Sequence, residues 1–230
     1  MPTVLITGAN RGLGLEFSHY YLKSSWNVLA TCRSPKEALD LKALENEYGE
    51  IKIFSLDLAS EKDIESLGMN LSGIPIDVLI NNAGVYLDRG CTFGKLNYED
   101  WSKSILINTL APMKIAEVLL ENLQVGEKKC LINITSRMGS IADNTSGGSY
   151  YYRSSKAALN AAMKTLSMDL LTFHITTVLF HPGWVKTDMG GPNASITPEE
   201  SIKGMCNVID KLTLKDSGKF LDYTGKELPW

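Results

Sequence analysis

Tyr152 and Lys156 stand four residues apart in the run Tyr152-Arg153-Ser154-Ser155-Lys156. On a helix that spacing puts both side chains on one face. An ammonium beside a phenol favours the phenolate and is expected to lower the tyrosine pKa from about 10. A shift of ~2–3 units takes ~3–4 kcal/mol of differential stabilisation. The product would be an acid/base group usable near neutral pH. Tyr150 and Tyr151 have serine at i+4, so only Tyr152 gains this partner. Ser136 closes the run Ile132-Asn133-Ile134-Thr135. Its hydroxyl could hydrogen-bond a carbonyl oxygen or merely begin a loop. Nucleophilic catalysis by Ser136 is not expected, because no G-x-S-x-G elbow surrounds it and no histidine is placed to activate it.

A second constellation lies near the start of the chain. The first apolar run leads into Thr7-Gly8-Ala9-Asn10-Arg11-Gly12-Leu13-Gly14. Glycines let backbone approach a pyrophosphate closely, and a helix that follows offers free N–H groups and a positive dipole end. The spacing G-x-x-x-G-x-G differs from G-x-G-x-x-G. The second apolar run ends at Thr31-Cys32-Arg33. An acid there would accept from a ribose 2′-hydroxyl, whereas Arg33 can pair with a 2′-phosphate, with Arg11 approaching from the glycine loop. The missing acid also counts against an S-adenosylmethionine methyltransferase. Asp57, with Leu58 beside it, follows the third run and could meet an adenine amine or cap the next turn. Asn81-Asn82-Ala83-Gly84 ends the fourth run, where small and amide side chains suit either a flat ligand or a tight turn.

These residues need elements to position them. Apolar runs at Val4–Thr7, Asn27–Cys32, Ile51–Leu56, Val78–Ile80, Cys130–Thr135, Ile175–Phe180 and Lys219–Leu221 read as strands. Helices are expected over Gly14–Lys23, Lys36–Tyr48, Ser60–Leu67, Tyr98–Leu123, Tyr152–Phe173 and Pro198–Leu212. Pro35 marks a helix start, and Pro112 a kink in the fourth helix. Strand–helix alternation with continuously apolar strands implies a mostly or wholly parallel sheet covered on both faces. Its ligand belongs beyond the carboxyl ends of the strands, where the strand order switches. No linker or repeat divides the chain, so a single domain over residues 1–230 is expected.

The 230 residues carry 23 Lys+Arg against 26 Asp+Glu, a net charge of −3. Nothing in that balance favours nucleic acid or an anionic membrane as the main partner. Hydrophobic residues make up 44% and charged residues 21%, which argues against disorder and coiled coil. Cys32, Cys91, Cys130 and Cys206 lack CxxC spacing, and with only three histidines a disulfide framework or metal site is not expected. No signal-peptide pattern opens the chain and no apolar run approaches ~18–20 residues, so a cytoplasmic protein without a membrane span is expected. The sequons at Asn133, Asn144 and Asn193 are read as accidental.

Taken together, the motifs resemble those of the short-chain dehydrogenase/reductase family, in its order and over nearly the whole chain. The resemblance rests on TGANRGLG at 7–14, NNAG at 81–84, Asn108 in Ile107-Asn108-Thr109, Ser136, Tyr152-x-x-x-Lys156, and Pro182-Gly183 with Thr187. The insert SRMGSIADNTSGGSYYYRSSK and the ending Gly218-Lys219-Phe220 to Leu228-Pro229-Trp230 resemble the sniffer and C-factor-like carbonyl reductase subgroup. The resemblance implies a doubly wound Rossmann fold of about seven strands and an NADP(H)-dependent carbonyl or alcohol oxidoreductase. It implies Tyr152 as general acid/base, Ser136 on the substrate oxygen, Lys156 on the nicotinamide ribose and Asn108 in a proton relay. Cofactor contacts would come from Gly8, Asn10, Arg11, Gly12, Leu13, Gly14, Arg33, Asp57, Leu58, Asn82, Ala83, Gly84, Tyr152, Lys156, Pro182, Gly183, Val185 and Thr187. Helix residues Ala157, Ala158, Ala161 and Ala162 could pack in a homodimer or homotetramer, or on the protein's own sheet. Tyr86, Met138, Trp184 and Met189 flank the implied site and suit an apolar small-molecule pocket or simple core packing. Two other readings are a cofactor-binding signalling protein of the C-factor type and an epimerase or dehydratase. The chain is short for the latter's larger substrate domain.

Overall fold

Side chains in a parallel strand alternate between two buried faces, and the strands of this chain fill both. In the computed structural model, which describes residues 1–230, β1 (Thr3–Ile6) sends Val4 and Ile6 to one side and Leu5 to the other. The same division holds in β2 (Asn27–Cys32), β4 (Val78–Asn81), β5 (Cys130–Ile134) and β6 (Thr176–His181). Strands β3 (Ile51–Ser55) and β7 (Phe220–Asp222) close the edges. The order is β3-β2-β1-β4-β5-β6-β7, and every pairing is parallel. The sheet is therefore the expected doubly wound one of seven strands, with its switch between β1 and β4.

Helices α1 (Gly12–Lys23), α2 (Leu39–Tyr48) and α8 (Pro198–Ile209) cover one face through Phe17, Tyr21, Leu41, Ile202 and Met205. The other face is covered by α3 (Glu61–Asn70), α5 (Ala111–Val118), α6 (Leu120–Val125) and α7 (Tyr150–Asp169), through Leu67, Ile115, Leu123, Leu159 and Met163. The two layers bury 24 and 23 apolar residues, so neither face is left open.

Helix boundaries depart from the sequence reading throughout: α3 runs over Glu61–Asn70 rather than Ser60–Leu67, and α8 stops at Ile209 rather than Leu212. The first helix starts at Gly12, two residues before its expected start. Lys36–Tyr48 is not one helix: a 3₁₀ turn at Pro35–Glu37 precedes α2, and Ala38 is buried between them. Tyr98–Leu123 is not one kinked helix either. α4 (Tyr98–Ile105) passes into a π turn at Leu106–Leu110, then α5 and α6. Pro112 sits in the first turn of α5, where its missing N–H costs least. Finally, α7 begins at Tyr150 rather than Tyr152, and its end relaxes into a 3₁₀ turn over Leu170–Phe173. No helix is long and apolar enough to cross a membrane.

Candidate active site

The loops after β1 and β4 meet at the switch in strand order, and NNAG is the seam between them. The Asn82 side-chain amide donates to Thr7 O (2.9 Å) and Gly8 O (3.2 Å). The N–H groups of Asn82 and Ala83 donate to Thr7 Oγ1. Gly8 has φ +66°, and a Cβ there would lie 2.8 Å from Ala83 Cβ. Gly14 packs beneath the loop, where a Cβ would lie 2.2 Å from Gly8 O. Only glycine permits this closeness. Helix α1 starts without a side-chain cap and without an acid in its first turn, so its first N–H groups face the loop's concavity with a positive dipole end.

A cleft of about 1130 Å³ opens above this seam. Its walls bring together Gly8, Asn10, Arg11, Gly12, Leu13, Arg33, Asp57, Leu58, Asn82, Ala83 and Gly84 from the sequence reading, with Tyr152, Lys156, Pro182 and Thr187 at the far end. Gly14, Gly183 and Val185 do not line it. Gly183 packs against Ile196 and Tyr223, and Val185 bridges to Ile196. The three shape the loops that do the lining. Thr31, on the floor, has a buried hydroxyl with no partner in the protein. A glycine cradle, an uncapped helix start and an orphaned hydroxyl in a long cleft fit a dinucleotide.

Several side chains around the cleft already have partners within the protein. Asp57 Oδ1 accepts from Ala59 N–H at 2.9 Å, so turn capping is one of its tasks while it also lines the cleft. Arg11 and Arg33 both line the cleft, and Arg11 has a partner there. Its Nη1 donates to Asp188 Oδ2 at 2.6 Å across the mouth, and Arg89 Nη2 reaches Asp188 O at 3.3 Å. Glu37 and Asp40 join Arg33 on the rim. Acids at these positions carry no motif, so sequence reasoning passed over them.

At the other end, α7 presents Tyr152 and Lys156 on one face as the i,i+4 spacing requires. Lys156 Nζ donates to Ile134 O (2.8 Å) and lies 5.8 Å from the centre of the Tyr152 ring. The expected fall in the Tyr152 pKa does not occur. Burial pushes the phenol up to about 12, the Ser136 hydroxyl partly offsets this, and Tyr86 adds to the rise. Burial also lowers the Lys156 ammonium to about 8. Removal from water is the largest influence on both groups. The protein environment holds Tyr152 protonated. Ser136 Oγ accepts from Met138 N–H (3.1 Å) and stands at the end of β5.

Asn108 lies in the π turn, fully buried, with its side chain spent on structure. Oδ1 accepts from Val85 N–H (2.8 Å), and Nδ2 donates to Val85 O (2.9 Å) and Ser155 Oγ (3.0 Å). Asn108 thus ties the loop after β4 to α7. A Cβ on Gly84 would lie 3.1 Å from its Oδ1 and 3.6 Å from Lys156 Nζ. The Asn108 carbonyl would ordinarily accept from residue 112, which is proline and has no N–H. Sequence reasoning also missed Asp88, whose buried carboxylate meets the start of α7.

Comparison with known proteins follows the same outline. A family model described as short chain dehydrogenase matches residues 2–196. The chain is 46% identical over 167 residues to the C-signal of Myxococcus xanthus, an alignment covering 73% of this chain and all of that protein. Among solved structures, carbonyl reductase Sniffer of D. melanogaster superimposes with a TM-score of 0.93 at 34% identity, covering all of both chains. An NADPH-bound carbonyl reductase from chicken fatty liver gives 0.92 at 37% identity, covering all of this chain and 99% of that one.

Proposed function

This chain belongs to the short-chain dehydrogenase family, and from that premise we propose that it is an NADP-dependent oxidoreductase interconverting an aldehyde or ketone with an alcohol. The observation that carries the reading is the half-buried Tyr152 on one face of α7 with Lys156, both lining the end of a cleft floored by a glycine cradle, with the Ser136 hydroxyl acting on the phenol. The similarity to NADPH-bound carbonyl reductase supports the choice of cofactor and substrate class. Gly8, Gly12 and the first turn of α1 would hold the pyrophosphate, Arg33 a 2′-phosphate, and Lys156 the nicotinamide ribose. The bound nicotinamide supplies or accepts the hydride.

The chain's own residues handle the oxygen. With a pKa of about 12, Tyr152 carries its proton throughout the neutral range and can give it to the alkoxide that develops during reduction. Ser136 Oγ donates to the same oxygen and stabilises its growing charge. Lys156 spends one N–H on Ile134 O, which aims the others into the cleft. Asn108 contributes geometry through its side chain. Any proton relay would run through its carbonyl, which Pro112 cannot bond.

NADPH oxidation against a panel of aldehydes, ketones, quinones and steroids tests the reading. Turnover is expected, and Tyr152→Phe should reduce it at least 100-fold, about 3 kcal/mol of barrier, with NADPH affinity nearly unchanged. Full activity in Tyr152→Phe would refute the catalytic assignment. A second reading rests on the similarity to C-signal: a cofactor-binding signalling protein with little turnover. It requires NADPH binding, no reduction across the panel, and a protein partner whose binding depends on the cofactor.

A further inference from the structure

Helix α7 carries Tyr152 in its first turn, yet nothing in its own N-cap holds that turn. Ser149 occupies the N-cap in a left-handed conformation, φ 48° and ψ 49°, and makes no side-chain cap. Its hydroxyl pairs instead with Tyr86 Oη at 2.9 Å. First-turn N–H groups have no acceptor within the helix and need one from outside. Here they find Asp88, seven residues beyond the end of β4 at Asn81 and 63 residues from Tyr151 in sequence. The N–H of Tyr151 donates to Asp88 Oδ1 (2.9 Å) and that of Tyr152 to Oδ2 (2.8 Å). The carboxylate is only 6% exposed, so both oxygens are committed to these bonds away from bulk water.

The same loop grips Tyr152 a second time. Tyr86, two residues before Asp88, packs edge-on against the Tyr152 ring with centroids 5.2 Å apart. Upstream, both backbone polar groups of Val85 are bonded to Asn108. Val85, Tyr86 and Asp88 thus form one strap from the π turn to the start of α7. We propose that Asp88 is a positioning residue for the reaction: by capping α7 from the loop after β4, it fixes the direction of the Tyr152 phenol against the substrate oxygen. This rests on the oxidoreductase reading for its kinetic consequence and on the geometry alone for the cap. A charged acceptor is suited to two convergent N–H donors beside a helix dipole. Asparagine can serve one of them and turns an N–H donor toward the other.

The test is steady-state carbonyl reduction by wild type, Asp88→Asn and Asp88→Ala, with NADPH affinity measured separately. Misplacement by about 1 Å costs on the order of 100-fold. For Asp88→Ala, kcat is expected to fall 10- to 100-fold while KM and NADPH affinity stay within about twofold. Asp88→Asn should fall between. Equal kcat in all three proteins, or a loss of kcat matched by an equal loss of NADPH binding, overturns the proposal. Amide hydrogen exchange on the wild type supplies a check that needs no variant. Slow exchange at Tyr151 and Tyr152 is expected, and exchange at the rate of open first-turn amides overturns the cap. Wild-type turnover and its loss in Tyr152→Phe judge the oxidoreductase reading. Unchanged kcat in Asp88→Ala, with those two results in hand, refutes the positioning role alone.

Discussion

Arg33 and Arg11 look equivalent as sequence and are unlike as structure. Arg33 stands on the rim of the cleft with Glu37 and Asp40, whereas Arg11 is drawn across its mouth to Asp188. If Arg33 reads a 2′-phosphate, Arg33→Ala should weaken NADPH binding about 10- to 100-fold, in line with a charge-assisted hydrogen bond of ~1.5–3 kcal/mol, and leave NADH binding nearly unchanged. Arg11→Ala is expected to weaken both cofactors by a similar, smaller factor, because it removes a bond between two loops. Fluorescence titration with the two cofactors separates these outcomes. The Arg11–Asp188 pair is exposed on both sides, so its own contribution to stability should be small and salt-sensitive.

At the scale of elements, the site depends on backbones that approach more closely than side chains allow. Gly8 and Gly49 both have positive φ, +66° and +78°. Gly49 ends α2 with open space around it, while Gly8 faces Ala83. Alanine at either position should cost about 1–2 kcal/mol of backbone strain. Only Gly8→Ala should also abolish cofactor binding, since its Cβ would push the β1 loop off the NNAG seam. Thermal unfolding with NADPH titration of the two variants checks this. The π turn at Leu106–Leu110 is the other local irregularity, and such turns gather at functional sites. It places Asn108 where one side chain meets both Val85 and Ser155.

For the whole molecule, pH dependence follows from a histidine at the sheet's far end. His181 closes β6 opposite Asp222, and burial lowers it to about 4 despite that carboxylate, with Arg137 acting in the same direction as burial. A histidine with a depressed folded-state pKa contributes stability fully present above the unfolded value of about 6.5 and lost as pH falls towards 4. The loss should approach about 3 kcal/mol. Urea titrations at pH 7 and pH 4.5 are expected to show a difference in unfolding free energy that His181→Gln largely removes. Assembly is a second question at this scale. The π turn and α7 leave Leu110, Ala161 and Met168 exposed, while Ala157, Ala158 and Ala162 are half-buried. We propose a homodimer or homotetramer built across this side of the molecule, and light scattering should give two or four times the 25.3 kDa of one chain.

The amino-acid sequence by itself determined what local pattern can determine. Apolar runs at Val4, Val28, Val78, Cys130 and Val178 specify strands buried on both faces, and their alternation with helices specifies a parallel sheet. Glycines at 8, 12 and 14, and the four-residue spacing of Tyr152 and Lys156, specify where backbone must come close and which side chains share a face. These are short-range constraints of sterics and periodicity. Tertiary structure alone decided the rest. The Tyr152 pKa rises rather than falls because burial depends on everything packed around the phenol. Arg11 turns to Asp188 because a loop 177 residues away folds over it. Asp88 serves α7 because the loop after β4 reaches the start of that helix, and Asn108 meets Ser155 because the π turn packs against α7. Partners far apart in the chain, and the desolvation they impose together, are set only when the sheet closes its order.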